Sequence, residues 1–262
     1  MGDALYQLIV AYDGSQFEGF QRQKNARTVQ GELESALRKL GWTGRAILCA
    51  GRTDSGTHAS GQVVALELVW AHRDEQLRQA INHVLPEDIV IRQVSRALDG
   101  FHPRFSALAR VYRYQYYWQP VRDPLRERYA WRVWPEPDLE KMKAAAKHLI
   151  GELDFSPLGR ALKDDASTVR KVTRVSWQKL GEDSLMFEIE ANAFLYHMVR
   201  RIAATLLMVG HNRLDVEEFR ERLLKYKEFP PGLAPARGLN LVEVKYGQQS
   251  LSENKCGEEE RG

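Results

Sequence analysis

The placing of apolar residues along the chain spells out most of its elements. Residues 5–12 (Leu-Tyr-Gln-Leu-Ile-Val-Ala-Tyr) form a strand-length apolar run, and Asp13-Gly14-Ser15 turns out of it. Val29, Leu33, Leu37 and Leu40 then recur at helical spacing, with Thr28 placed to cap the first turn and Gly41 to stop the last. Residues 47–50 predict a buried strand and residues 62–66 the next one. Asp74 predicts the cap of a second helix that carries Leu77, Ile81, Val84 and Leu85 and ends at Pro86. Residues 89–94 are again a strand, so the first third reads β-α-β-β-α-β.

The rest of the chain repeats that order. Residues 106–118 predict a long strand, and residues 138–150 a helix with Leu139, Met142, Ala146 and Leu149 on one face, closed by Gly151. Residues 172–180 and 185–191 pair as a hairpin about Gly181. Residues 194–209 predict an apolar helix through Leu195, Met198, Val199, Ile202 and Leu206. Asp215 with Glu218 opens a further helix in capping-box style, and residues 239–246 are the last strand. The expectation is a duplicated α+β unit, ferredoxin-like in order, with halves at 1–100 and 101–247 and a disordered acidic tail at 248–262.

With 262 residues, 44% of them apolar, the chain can bury a substantial core. It has no run of eighteen apolar residues, so no membrane span is expected. Its start lacks the features of a signal peptide, and its two cysteines, Cys49 and Cys256, are far apart, which fits a cytoplasmic setting. The net charge of +3 says little, but its distribution says more. Seven arginines stand between Arg104 and Arg132 against Asp123 and Glu127, interleaved with Tyr112, Tyr114, Tyr116, Tyr117, Trp118, Tyr129 and Trp131. Arginine forks grip phosphates and aromatic rings stack on unpaired bases, so the cluster points to nucleic acid. For Tyr114 and Tyr116 themselves a half-buried strand is explanation enough.

The chemistry concentrates in residues 49–58, Cys-Ala-Gly-Arg-Thr-Asp-Ser-Gly-Thr-His. Asp-Ser-Gly alone suits a tight turn. Arg52, however, stands two residues before Asp54, on the same side of an extended chain, where its charge would keep the carboxylate ionised. A charged Asp on a loop at a strand end is a candidate nucleophile or general base. The seven histidines form no zinc pattern, and the chain has neither a phosphate-binding Gly-x-x-x-x-Gly-Lys nor a dinucleotide Gly-x-Gly-x-x-Gly. No metal and no cofactor are expected. Three readings stand: base chemistry on RNA through Asp54, an RNA-binding module without chemistry, and a metal-dependent nuclease using Asp54 and His58. The last lacks a supporting carboxylate cluster.

These residues resemble a known family. Gly51-Arg52-Thr53-Asp54-Ser55-Gly56-Thr57-His58 resembles the catalytic loop of the tRNA pseudouridine synthase A family, usually Gly-Arg-Thr-Asp-(Ala/Ser)-Gly-Val-His, with Thr57 in place of Val. Residues 12–23 resemble its N-terminal signature, with Phe20 where Trp is common. Residues 101–107 and 110–114 resemble its central blocks, and residues 192–200 and 238–241 its C-terminal ones. The resemblance implies two ferredoxin-like, RRM-like halves whose antiparallel-rich sheets join into one large mixed sheet with a central, positively charged cleft. It implies a homodimer that isomerises uridines on the 3′ side of the tRNA anticodon stem-loop (positions 38, 39 and 40), without a cofactor. Asp54 would be the catalytic carboxylate, Tyr112 would stack on the target base, and Arg200 would pair with Asp54. Arg52 would fill the space the base leaves or hold its phosphate, and Leu239 would pack beside the base. Arg22, His102, Arg104, Arg110 and Arg113 are the candidate RNA contacts.

Overall fold

The computed structural model describes residues 4–163 and 166–247; the expected tail at 248–262 lies outside the described residues. The first half supplies β1 (Ala4–Tyr12), α1 (Val29–Lys39), β2 (Leu48–Cys49), β3 (His58–Leu68), α2 (Asp74–Val84) and β4 (Ile89–Arg96). The second supplies β5 (Ala107–Trp118), β6 (Trp131–Val133), α3 (Leu139–Lys147), β7 (Gly151–Asp154), β8 (Val169–Gly181), β9 (Ser184–Ala191), α4 (Met198–Gly210), α5 (Val216–Leu224) and β10 (Leu239–Tyr246). All ten strands lie in one sheet, whose main path runs β4-β1-β3-β10-β5-β9-β8-β7. β2 pairs the edge of β3, and β6 pairs β5. The duplication shows in this order. The first unit is arranged β4-β1-β3-β2 and the second β10-β5-β9-β8, the same arrangement of equivalent strands.

The two units meet where β10 lies parallel to β3, through Asn240 opposite His58 and Leu241 opposite Ala59. The other pairings along the main path are antiparallel. The approach at the join is close. A Cβ on Gly61 would sit 2.1 Å from the Val242 carbonyl oxygen, so only glycine fits there. Because β3 and β10 run parallel, the loops that lead into them arrive at the same end of the sheet. That end holds the cavity described below.

Each unit has its own core. In the first, Val29, Leu33 and Leu37 of α1 and Leu77 and Ile81 of α2 pack with Tyr6, Leu8, Val10, Val64 and Ile91. In the second, Met142, Ala146, Ile202 and Leu206 pack with Tyr116, Phe187, Ile189 and Phe219. β10 serves both: Leu239 joins the second core, and Leu241 and Val244 the first. Tyr112 touches both as well.

Several sequence expectations shift. The strand expected at 47–50 shrinks to two residues, with Leu48 42% exposed. The helix expected at 194–209 begins only at Met198. Upstream, Arg160 and Tyr196 exchange backbone hydrogen bonds, Asn192 Oδ1 accepts from the Lys171 and Ala193 amides, and His197 adopts a left-handed conformation. These tertiary bonds override the apolar periodicity. Asp74 is the first residue of α2 and not its cap, which is Arg73. The capping box at Asp215 is half formed: Asp215 accepts from the Glu217 amide, but Glu218 turns to Arg222. β6 and β7 carry too few residues to show a period.

Candidate active site

Residues 50–57 form a loop clamped from both sides. The Ala50 amide donates to Val63 O at 2.9 Å, and Gln62 Nε2 to Gly51 O at 2.8 Å, which ties the entry to β3. Tyr12 Oη and Thr53 Oγ1 share a buried hydrogen bond of 2.7 Å, and Thr53 O accepts from the Phe20 amide at 3.1 Å. The Thr57 amide closes the turn onto Asp54 O at 3.1 Å. Gly14 is pressed against this turn, where a Cβ would lie 2.1 Å from Thr57 O. With its backbone fixed, the loop leaves the Asp54 side chain 23% exposed at the cavity wall.

The countercharge comes from the other half. Arg200 on α4 donates through Nη1 to Asp54 Oδ2 at 2.7 Å and through Nε to Ala234 O at 2.8 Å. The Ala234 amide donates back to Arg200 O at 3.2 Å, so the guanidinium is aimed before any ligand arrives. The resemblance implies Arg200 in this place, whereas spacing alone offers Arg52, which among the described residues forms no ion pair. Tyr12 draws Thr53 inward, and Arg52 points outward at the rim of the cavity.

His197, which the sequence reading passed over, places Nε2 3.4 Å from Asp54 Oδ2. Its ring stacks on Tyr196 with centroids 3.7 Å apart. Burial pushes its pKa down, the Arg200, Arg201 and Arg160 charges push the same way, and Asp54 opposes them. Its spacing of three residues from Arg200, on an expected helix, was a signal that could have been used.

Asp54 opens into a cavity of about 720 Å³ that Arg52, Tyr112, Arg200 and Leu239 also line. Tyr112 presents a half-buried ring, edge-to-face with Phe194 at 5.0 Å, and burial is the chief cause that pushes its hydroxyl up to about 12. Leu239, buried at the start of β10, closes the apolar side. Among the described residues the lining carboxylates are Asp54 and Glu18, and Glu18 is held by the Ser55 hydroxyl at 3.1 Å. A carboxylate, a fixed guanidinium and an aromatic ring thus converge in a space that would hold a nucleoside.

A family model described as tRNA pseudouridine synthase matches residues 8–106 and 145–247. The tRNA pseudouridine synthase A of Bacillus subtilis is 39% identical over 240 residues, covering 90% of this chain and 97% of that one. That of Chloroflexus aurantiacus is 41% identical over 243 residues, covering 91% of this chain and 87% of its own. The chain belongs to the tRNA pseudouridine synthase A family. A solved Cbf5-Nop10-Gar1 complex aligns at 15% identity over 77% of this chain and 45% of the other, with a TM-score of 0.38, too loose to argue from.

Within this family frame the expected RNA contacts divide into two groups. His102 and Arg104 line the cavity. Arg110 also reaches it but is buried, and its guanidinium donates to the carbonyls of Arg104 at 2.6 Å, Asn192 at 2.7 Å, Ala50 at 3.2 Å and Ala107 at 3.4 Å. Arg22 is ion-paired with Glu34, and Arg113 with Glu188 at 2.6 Å, both outside the cavity lining.

His58 lies behind the loop. Its Nδ1 accepts from the Gly14 amide at 3.0 Å, and its Nε2 lies 3.2 Å from Arg128 O and 3.1 Å from Arg237 O, so the neutral ring carries its proton on Nε2. Burial pushes its pKa down, against the pull of Asp13. It does not share the Asp54 cavity, which removes the geometric basis of the nuclease reading. No group of three or more His, Cys, Asp or Glu able to hold a metal occurs among the described residues.

Proposed function

We propose that the chain isomerises uridine to pseudouridine in tRNA, on the 3′ side of the anticodon stem-loop (positions 38 to 40), with Asp54 as the catalytic carboxylate. The observation that carries this reading is the 2.7 Å pair of Asp54 and Arg200 at the wall of a cavity lined by Tyr112 and Leu239. The reaction breaks the bond between uracil N1 and ribose C1′, turns the ring, and joins C5 to C1′. C5 loses its proton and N1 gains one. Substrate and product contain the same atoms, so the conversion consumes no oxidant or reductant.

The target base must leave its stack, which costs a few kcal/mol. Stacking on Tyr112 returns about 1–3 kcal/mol of that. Asp54 then works at the ribose, and its position serves either attack at C1′ or removal of the 2′ proton. Arg200 orients the carboxylate and balances its charge, Arg52 at the rim takes the phosphate or the vacated space, and Leu239 excludes water beside the base.

The direct test is a pseudouridine map of tRNA from cells with and without this protein. Loss confined to the 3′ side of the anticodon arm is expected; an unchanged map would contradict the reading.

The family resemblance also supports a homodimer in the cytoplasm. The second half exposes the large apolar side chains of Val121, Leu125 and Trp134. Light scattering should return twice the chain mass of 30.1 kDa.

A further inference from the structure

At the wall of the cavity residues 102–106 wind into a turn held by several hydrogen bonds. The His102 ring accepts at Nδ1 from the Arg104 amide at 3.1 Å and the Phe105 amide at 3.4 Å. The His102 amide donates to Ser106 Oγ at 3.1 Å, and the Ser106 amide to His102 O at 2.9 Å. Tyr246 donates to Pro103 O at 2.8 Å. Arg110 grips Arg104 O at 2.6 Å and, from the same guanidinium, Ala50 O at the base of the Asp54 loop at 3.2 Å. Turn and catalytic loop are therefore braced to one another through a buried cation.

What this bracing presents is an aromatic ring facing solvent. Phe105 is 78% exposed, stands 4.3 Å from the His102 ring, and carries the Arg104 guanidinium 5.9 Å from its centroid. All three side chains line the Asp54 cavity, and so does Arg170. Burial, and after it the charge of Arg104, pushes the Arg170 guanidinium down from its usual value; its Nη1 donates to Ser167 O at 2.8 Å and Val169 O at 2.6 Å, and its Nε is buried without a partner. Among the described residues neither arginine pairs with a carboxylate. An exposed apolar ring beside two guanidinium groups that carry no carboxylate partner among the described residues is the chemistry of an unpaired nucleobase and its phosphate.

We propose that Phe105 and His102 form a second nucleotide subsite, which stacks the unpaired base next to the target uridine while Arg104 and Arg170 take its phosphate. Arg110 is the positioning residue that fixes this subsite relative to Asp54. The proposal rests on the tRNA reading above and adds to it a place for a flanking nucleotide.

The test is a binding cycle on the Asp54→Asn protein, which is expected to hold RNA without turnover. Its ligand is an anticodon stem-loop carrying an abasic residue on the 5′ or the 3′ side of the target. Phe105→Ala is expected to weaken binding of the intact stem-loop about 10-fold. One of the two abasic ligands should cost about the same, and the combination should cost about 10-fold and not 100-fold. Phe105→Trp should restore affinity, and its fluorescence should fall on binding. Additive losses for both abasic ligands, or full affinity in Phe105→Ala, would overturn the subsite. A Phe105→Ala protein of altered mass would overturn it as well, by marking the ring as a contact between copies. Uridine C5 tritium release by the unaltered protein tests the tRNA reading separately. Release together with additive binding losses removes the subsite alone, and absence of any RNA binding removes both.

Discussion

The two units share one strand order and differ at one edge. In the second unit β8 spans thirteen residues, Val169–Gly181, and pairs with β9 over nearly its whole length. In the first, its counterpart β2 has two residues and covers only Val64 and Ala65 of β3. Beyond the Ala50–Val63 bond, that β3 edge takes β10 of the second unit at His58 and Ala59. The chain saved from a full β2 becomes the loop that carries Asp54. The site thus arises where the duplication is least faithful, and each unit supplies what the other lacks: a loop carboxylate from the first, a helix arginine and aromatic strand from the second.

Breaking the contribution of the second unit should have the largest effect short of removing Asp54. Arg200→Ala takes away the guanidinium bonded to the carboxylate, and turnover should fall about 100-fold. Arg200→Lys should recover little of it, because one ammonium cannot span Asp54 Oδ2 and Ala234 O as the planar fork does. Steady-state kinetics on tRNA checks both variants.

The join itself is next. Gly61→Ala forces a Cβ to 2.1 Å of Val242 O, and urea unfolding should show a loss of about 1–3 kcal/mol with activity lowered through misalignment of the halves. Gly51→Ala, which meets nothing within 4 Å, is the control.

Paired and unpaired arginines sharpen the comparison at the surface. Arg104→Ala should lower the salt slope of tRNA binding by nearly one, while Arg113→Ala, already committed to Glu188, should lower it by less. Equal slopes would mean that the ion pair opens on binding.

The smallest expected effect is on stability in mild acid. His58 holds its pKa below 6.5 in the folded chain because burial disfavours the charged ring. Above 6.5 the ring is neutral in both states and costs nothing. Below it the unfolded chain takes up a proton that the folded chain refuses, so stability falls with pH. His197 shifts in the same direction and adds to the decline. Thermal midpoints between pH 5 and pH 7 should fall less steeply in His58→Gln than in the unaltered protein.

Much of this was legible in the sequence because local rules decide it. Apolar spacing placed α1 and α3, the capping residues Thr28, Asp138 and Asp215 sit at the helix starts expected of them, and the ordered motifs carried the family. What sequence reading missed depends on contacts distant along the chain. Spacing alone offered Arg52 as the partner of Asp54, and only the family resemblance pointed to Arg200, 146 residues away, which makes the bond. The early start assigned to α4 followed apolar spacing that a bridge to Arg160 cancels. Arg110 and Arg104 look alike in a list of basic residues; only packing shows that one is spent on four carbonyls while the other faces the cavity.

One measurement reaches the centre of the account most directly: tritium release from tRNA labelled at uridine C5, compared between the unaltered protein and Asp54→Asn. Release should match the uridines converted for the first and fall by about 1,000-fold or more for the second, with tRNA binding retained. Full release from Asp54→Asn, or none from the unaltered protein, would contradict it.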